Sequence, residues 1–388
     1  MVINYGKQTI DSSDIKQVIK VLKSDFLTQG PKVEKFEKSL NKYFKSKYSS
    51  VVSNGTAALH LIGKALKWKE GDIIFVTPIT FLATANCILY SNATPVFIDI
   101  DQYSYTIDPQ KIEEKILFFK KKNKKARAII ATDFAGNCCD WHSLRYLSDK
   151  YNLELINDNC HALGSKYNNN KGYAVKYADA VIHSYHPVKN ITTGEGGAIL
   201  TNNFEIDKKI KILRSHGYTK KVNNNPKKNK PWFYQMDYLG YNYRLTDFQC
   251  ALGINQLNKL DNFVTKKRKI ANFYNNQFKE KDYFITPYVK KNIYHAYHLY
   301  PLQIDFKKIK KNKIDLFHFM QKYQINLQVH YIPIHYQPYY KKKFKLKKGS
   351  YPLSEKFYFN EVSLPIFPNL KIKDLYKIVN TIHRFIKK

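Results

Sequence analysis

Lys189 lies where a lysine side chain can do covalent chemistry. It follows an apolar, β-type run at residues 178–183 and precedes another at residues 198–201, so we expect a polar loop between two buried strands. A lysine at the edge of a sheet loses hydration, which favours its neutral amine, and a neutral amine can condense with an aldehyde as a Schiff base. The alternative is an ordinary solvated lysine, because lysine is abundant throughout this chain.

Asp158 comes at the end of a second apolar run, residues 153–157. An aspartate at the carboxyl end of a buried strand is costly unless a cationic group meets it. A protonated ring nitrogen of a cofactor is one such group, and the carboxylate would keep that nitrogen protonated. A second interpretation is that Asp158 caps the turn that follows the strand.

Residues 49–61 have the pattern of an anion site. Residues 49–53 are predicted to form a strand, Asn54 and Gly55 a tight turn, and Thr56 opens a helix. A turn that leads directly into a helix presents free backbone N–H groups and the positive end of the helix dipole. The alternative is a plain strand-to-helix connection capped by Thr56.

Residues 186–197, His-Pro-Val-Lys-Asn-Ile-Thr-Thr-Gly-Glu-Gly-Gly, closely resemble the lysine loop of the DegT/DnrJ/EryC1/StrS sugar aminotransferases. Residues 158–164 and 239–249 resemble two further motifs of that family, and the likeness runs from Tyr5 to the end of the chain. These enzymes use pyridoxal 5′-phosphate (PLP) and have the aspartate-aminotransferase fold. The resemblance therefore implies that cofactor and that fold.

The resemblance also assigns roles to particular residues. Lys189 is implied to hold PLP covalently and to act as general acid and base, and Asp158 to pair with the ring nitrogen. The other implied cofactor contacts are Thr56, Ala57 and Ser184 at the phosphate, Phe81 and His161 at the ring, and either Asn242 or Arg244 at the phosphate of a neighbouring subunit. The implied substrate contacts are Tyr5, His330 and Tyr331. A contact from a neighbouring subunit implies a homodimer with shared active sites.

Within the family, the chain looks most like the branch that aminates C4 of a UDP-linked N-acetylated 6-deoxy-4-keto sugar in pseudaminic acid biosynthesis. The resemblance implies L-glutamate as amino donor and 2-oxoglutarate as its product. An aminotransferase for another nucleotide-linked keto sugar is the close alternative. Family members that are dehydratases have histidine at the position of Lys189, which argues against that activity here.

The charge of the chain suggests an alternative from another functional class, a nucleic-acid-binding protein. The formal net charge is +34, with 65 lysines and arginines against 31 aspartates and glutamates. However, arginine occurs at only six positions, and base readout and bidentate phosphate contacts favour arginine over lysine. We therefore interpret the excess of positive charge mainly as solvated surface lysines, and we expect no nucleic-acid partner.

Cysteine and histidine spacing indicates neither disulfides nor a metal. The five cysteines are odd in number and include no CxxC pair, which fits a reducing cytoplasm. His183 and His186 are three residues apart, but on a strand and loop with no evident carboxylate partner. The longest apolar region, residues 73–100, is broken by Pro78 and Pro95, and the first residues have no apolar signal core, so we expect no membrane span.

Strands alternate with helices through most of the chain, which favours a parallel sheet covered by helices on both faces. At 388 residues, the chain exceeds the size at which one core keeps growing. We predict a large PLP-binding α/β domain at residues 1–256 and a small α+β domain at residues 257–388. A helix at residues 257–278 is expected to enter the small domain, where residues 326–331 are strand-like.

Overall fold

The computed structural model describes residues 2–219 and 230–387. Its strands are β1 (Tyr48–Val52), β2 (Ile73–Val76), β3 (Thr94–Phe97), β4 (Ala126–Thr132), β5 (Glu154–Asp158), β6 (Lys166–Tyr167), β7 (Ala180–Ser184), β8 (Gly197–Thr201), β9 (Tyr218–Thr219), β10 (Gln235–Met236), β11 (Phe284–Ile285), β12 (Ile293–Tyr294), β13 (Tyr300–Ile304) and β14 (Glu361–Leu364). Its α-helices are α1 (Ser12–Leu22), α2 (Pro31–Phe44), α3 (Gly55–Ala65), α4 (Leu82–Tyr90), α5 (Pro109–Lys120), α6 (Trp141–Tyr151), α7 (Tyr173–Tyr177), α8 (Phe204–Leu213), α9 (Asp247–Phe278), α10 (Lys313–Lys322), α11 (Pro338–Phe344), α12 (Pro352–Asn360) and α13 (Ile372–Lys387). No helix in these ranges is long and apolar enough to cross a membrane.

A seven-stranded sheet in the order β1-β8-β7-β5-β4-β2-β3 organises the larger part of the chain. Neighbouring strands from β7 to β3 are parallel, whereas β8 runs antiparallel to both β7 and β1. Successive side chains of a strand point to opposite faces. In β2, Ile73 and Phe75 accordingly pack into one apolar layer with α2 and α6, and Ile74 and Val76 into another with α3, α4 and α8. The predicted α/β architecture is confirmed.

The three-stranded sheet β11-β13-β14 packs with α10 and α13 around a separate apolar cluster. The predicted helix at residues 257–278 is too short. The structure has one helix of 32 residues, α9, which begins ten residues earlier because Thr246 and Gln249 form a capping box. The predicted division between residues 256 and 257 therefore falls inside a helix, and the two-domain division stays a prediction.

The strand predicted at residues 326–331 is also wrong, since this segment makes an isolated β-bridge at Gln328 and no continuous strand. The backbone N–H of His330 donates to the Glu361 carboxylate at 3.0 Å, and not to a neighbouring strand. Because the acceptor is the side chain of Glu361 and not a backbone carbonyl, the β-ladder does not continue at His330.

Helix α9 supports the loop between β7 and β8 through a buried lysine. Lys267, with 2% of its surface exposed, donates from Nζ to Asn190 Oδ1 at 2.9 Å. Asn190 in turn donates to the carbonyls of Leu163 at 2.8 Å and Ala296 at 3.5 Å. Burial, together with the nearby Lys189, lowers the pKa of Lys267 to about 7. The asparagine next to Lys189 is therefore fixed to three segments of the chain.

Replacing Lys267 by methionine should remove a pH-dependent part of the stability. The folded-state pKa is depressed from its usual value of about 10.4, so the unfolded chain binds more protons between pH 7 and 10. Stability should therefore rise with pH in wild type. The contribution of Lys267 between pH 6 and 9 should be about 2–3 kcal/mol, measured by urea unfolding at each pH.

Lys266→Met is the matched control, because Lys266 is its exposed neighbour on the same helix. The Lys266 variant should keep the wild-type pH profile, and only the Lys267 variant should flatten it. Parallel profiles for wild type and Lys267→Met would show that the buried amine does not titrate in this range.

Candidate functional site

A cavity of about 650 Å³ opens at the carboxyl ends of β1, β2, β4, β5 and β7. The edge of a parallel sheet where strands end is the usual position of a ligand site in α/β proteins. Nine of the residues predicted from the sequence line this cavity: Tyr5, Thr56, Phe81, Asp158, His161, Ser184, Lys189, His330 and Tyr331. The folding of the sheet therefore brings together segments that are far apart in the chain.

Lys189 reaches the cavity from the loop that follows β7. Burial lowers the pKa of its amine, and the nearby Cys160 and Asp158 oppose that shift only in part. Its Nζ lies 3.5 Å from Nε2 of His298. The sequence prediction of a partly desolvated lysine at the sheet edge agrees with this geometry, and a neutral amine is the nucleophilic form.

Asp158 is the last residue of β5 and is 4% exposed. Its Oδ2 accepts a hydrogen bond from the Thr84 hydroxyl at 2.6 Å, and its Oδ1 accepts from the backbone N–H of Cys160 at 3.2 Å. The carboxylate thus caps the following turn and also lines the cavity. The turn-capping interpretation is confirmed, and the pairing with a ring nitrogen stays a prediction.

The residues on either side of Asp158 are bound to the sheet interior. The Nδ2 groups of Asn157 and Asn159 donate to Oδ2 of Asp133 at 3.1 and 2.9 Å. Burial raises the pKa of the Asp133 carboxyl, and hydrogen bonds from its neighbours oppose that shift. These contacts fix the backbone on both sides of Asp158, so its carboxylate is held at one position.

His161 is a neutral ring in the wall of the cavity. Its Nδ1 accepts from the backbone N–H of Ala135 at 3.3 Å, so the neutral ring carries its proton on Nε2. That Nε2 lies 2.9 Å from the hydroxyl of Tyr331. Burial, with the nearby charge of Lys189, holds the pKa of His161 well below its usual range. The ring can therefore pack against a ligand without adding positive charge.

The amino end of α3 forms the part of the cavity suited to an anion. Asn54, and not Thr56, caps the helix, because its Oδ1 accepts from the N–H of Ala57 at 2.8 Å. The N–H groups of Gly55 and Thr56 make no hydrogen bond within the described part of the chain. A Cβ at position 55 would lie 3.0 Å from Cβ of Ser184, so this serine is directly beside the helix end. Two backbone donors and two hydroxyl groups are available there.

Phe81 and Tyr331 form an aromatic wall. Phe81 is 54% exposed and precedes α4, and its ring centroid lies 6.0 Å from that of Tyr331. Phe81 is thus not a core residue. Tyr5 lies at the other side of His330, with 5.4 Å between the ring centroids. These rings give the cavity flat apolar surfaces.

Three predicted cofactor contacts, Ala57, Asn242 and Arg244, do not line the cavity. The N–H of Ala57 is already bonded to Asn54, and Asn242 is exposed. Asn242 and Arg244 were predicted to reach the site of a neighbouring subunit, which a single chain does not test. All three assignments stay predictions.

Thr84 and His298 are among the residues of the cavity that were not predicted from the sequence. His298 is 4% exposed and its ring centroid lies 4.4 Å from that of His161. Its only sequence signal was a histidine within a strand-like apolar run. Thr84 falls four residues after Thr80, to which it is hydrogen-bonded at 2.9 Å, but nothing in that spacing indicated Asp158 as a partner.

The histidines weighed as metal ligands have different environments. His183 is fully buried against Phe44, and His186 is exposed at the cavity. Within residues 2–219 and 230–387, no group of three or more histidine, cysteine, aspartate or glutamate side chains could hold a metal ion. All five cysteines are free thiols.

The chemistry of the cavity fits PLP, the cofactor that the sequence motifs imply. PLP has a phosphate, an aldehyde and a ring nitrogen, and each meets a suitable group here. The unpaired donors at α3 and Ser184 suit the phosphate, the amine of Lys189 suits the aldehyde, and Asp158 suits a protonated ring nitrogen.

Solved structures similar to this chain are aminotransferases. Helicobacter pylori PseC, described as an aminotransferase involved in the biosynthesis of pseudoaminic acid, has a TM-score of 0.90 and 32% identity, with 100% of both chains covered. Spr1654 from Streptococcus pneumoniae in its PLP-form has a TM-score of 0.87 and 25% identity, with 100% of this chain and 99% of that chain covered. The aspartate-aminotransferase fold predicted from the motifs is confirmed.

Sequence comparison agrees with the structural one. The UDP-4-amino-4,6-dideoxy-N-acetyl-beta-L-altrosamine transaminase of Campylobacter jejuni (serotype O:2) is 41% identical over 389 residues, covering 100% of this chain and 98% of the relative. The family model for DegT/DnrJ/EryC1/StrS aminotransferases matches residues 8–383. The chain therefore belongs to the DegT/DnrJ/EryC1/StrS aminotransferase family, as its motifs predicted.

Proposed function

We propose that this aminotransferase moves the amino group of L-glutamate to C4 of a UDP-linked N-acetylated 6-deoxy-4-keto sugar, with 2-oxoglutarate as the other product. The similarity to the Campylobacter jejuni transaminase over the whole chain supports this substrate class. The observation that carries the activity is the desolvated amine of Lys189 in one cavity with the carboxylate of Asp158 and the free donors of α3.

PLP is the proposed cofactor, held by residues already assembled in the cavity. Lys189 would hold its aldehyde carbon, Asp158 its ring nitrogen, and Thr56 with Ser184 its phosphate. When bound, PLP supplies an electron sink that stabilises the carbon losing a proton, and it carries the amino group between the two substrates. Phe81 and His161 bound the space that a planar ring would occupy.

Lys189 has a second task after it releases the cofactor. Its amine would take a proton from the carbon that carries the substrate's nitrogen and return it to the cofactor carbon. This role needs an amine that is neutral near pH 7, and burial lowers the pKa of Lys189 in that direction. His298 lies 3.5 Å from the amine and restricts where it can move. Asp158 would keep the ring nitrogen of the cofactor protonated.

The active unit that we propose is a homodimer with shared sites. Asn242 is exposed, Arg244 is half-buried, and neither lines the cavity of its own chain. Large apolar side chains are exposed on the segment that pairs with the start of α9, at the cavity and on the segment before Asn242: Phe26, Leu27, Phe81, Leu82, Trp232 and Leu239. A second copy would cover such side chains, and apolar surface of this kind is typical of permanent interfaces. Free thiols throughout are consistent with the cytoplasm as its location.

Lys189→Ala should abolish amino transfer. With neither covalent attachment nor proton transfer at this position, we expect the rate from glutamate to the keto sugar to fall by at least about 10³-fold. The visible absorption band of protein incubated with PLP should also disappear or shift to that of free PLP. The matched control is Lys176→Ala, an exposed lysine of α7 outside the cavity, which should keep both the band and the rate.

Asp158→Asn should leave PLP binding largely intact and slow the reaction. An amide does not keep the ring nitrogen protonated, so we expect the half-reaction with glutamate to slow by about 10²–10³-fold in stopped-flow absorbance. Asp99→Asn is the control, because Asp99 is also a buried aspartate beyond a strand end but bonds Ser354 outside the cavity. Equal losses in both variants would contradict a special role for Asp158.

The sugar substrate is tested separately from the amino donor. Enzyme, PLP and glutamate are incubated with a panel of nucleotide-linked 4-keto and 3-keto sugars, and the products are identified by NMR. The proposal predicts transfer to C4 of the UDP-linked N-acetylated 6-deoxy sugar at the highest kcat/KM. Preference for another nucleotide or for a 3-keto sugar would favour the alternative substrate class.

A further inference from the structure

His330 belongs to a hydrogen-bonded chain that leads out of the cavity into the interior. Its Nδ1 lies 2.8 Å from Oγ of Ser363, and Oγ of Ser363 donates to Oε1 of Glu361 at 2.5 Å. The other carboxylate oxygen of Glu361 accepts the backbone N–H of His330 at 3.0 Å. His330 is 6% exposed and the other two residues are fully buried. The chain therefore runs from a buried carboxylate to a ring that lines the cavity.

The direction of these hydrogen bonds determines where the ring carries its proton. An ionised carboxylate only accepts, so Ser363 gives its single hydroxyl proton to Glu361. The Ser363 oxygen must then accept from His330, which places the imidazole proton on Nδ1. Nε2 is left with a lone pair. It has no hydrogen-bond partner in the described residues, so it is the ring nitrogen available to a ligand.

Burial raises the pKa of the Glu361 carboxyl to about 7, and the hydroxyl of Ser363, the ammonium of Lys313 and the backbone N–H of His330 limit that rise. The carboxyl is therefore ionised above about pH 7. Lys313 belongs to α10 and also donates to the carbonyl of Tyr358. The charge of Glu361 in turn contributes to the raised pKa of Tyr331, for which burial is the largest cause. The ring of His330 itself stays neutral, because burial and the nearby Lys189 lower its pKa to about 3.

We propose that Glu361 and Ser363 are positioning residues that hold His330 in the Nδ1–H tautomer, so that Nε2 accepts a hydrogen bond from a hydroxyl group of the sugar substrate. This inference rests on the proposed function. A sugar hydroxyl can donate to a lone pair, whereas the carboxylates of glutamate cannot. This tautomer of His330 therefore favours the half-reaction with the sugar and leaves the half-reaction with glutamate unaffected.

Glu361→Gln is the sharpest variant, because it should reverse the chain. The amide oxygen can still accept the N–H of His330, but its NH₂ group now donates to Ser363. The hydroxyl proton of Ser363 has no other acceptor among the described residues, so Ser363 then donates to Nδ1 and the imidazole proton moves to Nε2. The N–H group at Nε2 would then face the sugar hydroxyl group, which also donates, so the hydrogen bond could not form.

Two measurements test this change on the full-length, PLP-loaded protein at about pH 8, where the Glu361 carboxyl is ionised. In ¹⁵N NMR of histidine-labelled protein, wild-type His330 should show a protonated Nδ1, and Glu361→Gln a protonated Nε2, with the signal assigned by its loss in His330→Gln. In kinetics, the KM for the UDP-keto sugar should rise about tenfold in Glu361→Gln, while the half-reaction with glutamate changes less than about twofold.

Ser363→Ala and Ser363→Thr provide an independent test if the glutamine variant folds poorly. The alanine variant should weaken sugar binding, and the threonine variant, which keeps a hydroxyl group, should restore it in part. Glu355→Gln is the matched control, since Glu355 is a buried glutamate bonded to His335 at 3.0 Å, and neither residue lines the cavity. It should change neither the His330 signal nor the sugar KM.

The result that would overturn the inference is an unchanged His330 tautomer in Glu361→Gln, or equal losses in the glutamate and sugar half-reactions. Failure of the proposed function looks different. In that case wild type itself would show no reaction with glutamate or no transfer to the keto sugar, whereas the NMR comparison would still report the tautomer.

Discussion

The site depends on keeping one lysine amine out of water. Lys189 is delivered by β7 to the edge of the sheet, where burial favours the neutral amine that covalent chemistry requires. The loop that carries this amine is held in place by the neighbouring residue, Asn190. The side chain of Asn190 accepts a hydrogen bond from Lys267 of α9 and donates to the carbonyls of Leu163 and Ala296. The lysine loop is therefore held by contacts made one residue away from the reactive side chain.

The parts of this arrangement that could be predicted from the sequence are local in the chain. Lys189, Asp158 and the turn before α3 each lie at a junction between a buried strand and a polar loop, which residue types and periodicity reveal. Family motifs then supplied the roles of Phe81 and His161. The start of α9 was missed because the predicted helix began at residue 257, whereas the capping box of Thr246 and Gln249 places the first turn ten residues earlier.

The contacts that were missed join residues far apart in the sequence. Lys189 and His298 are 109 positions apart, and His161 and Tyr331 are 170 apart. Periodicity shows which face of an element is buried, but it does not show which distant side chain will meet it. His330 illustrates the limit: the strand predicted around it is absent because Glu361, 31 positions later, takes its backbone N–H. Asn242 and Arg244 depend on a second chain, which neither the sequence pattern nor a single subunit describes.

The three neutral histidines at the cavity share one electrostatic cause. Burial and the nearby Lys189 lower the pKa of His161, His298 and His330, so their rings act through the direction of their hydrogen bonds. His298 has no partner for Nδ1 among the described residues, and its Nε2 lies 3.5 Å from Lys189. An unpaired buried N–H is rarer in proteins than an unpaired acceptor. The ring therefore favours a proton on Nε2, donated to the lone pair of Lys189, and that arrangement is possible only while the lysine amine is neutral.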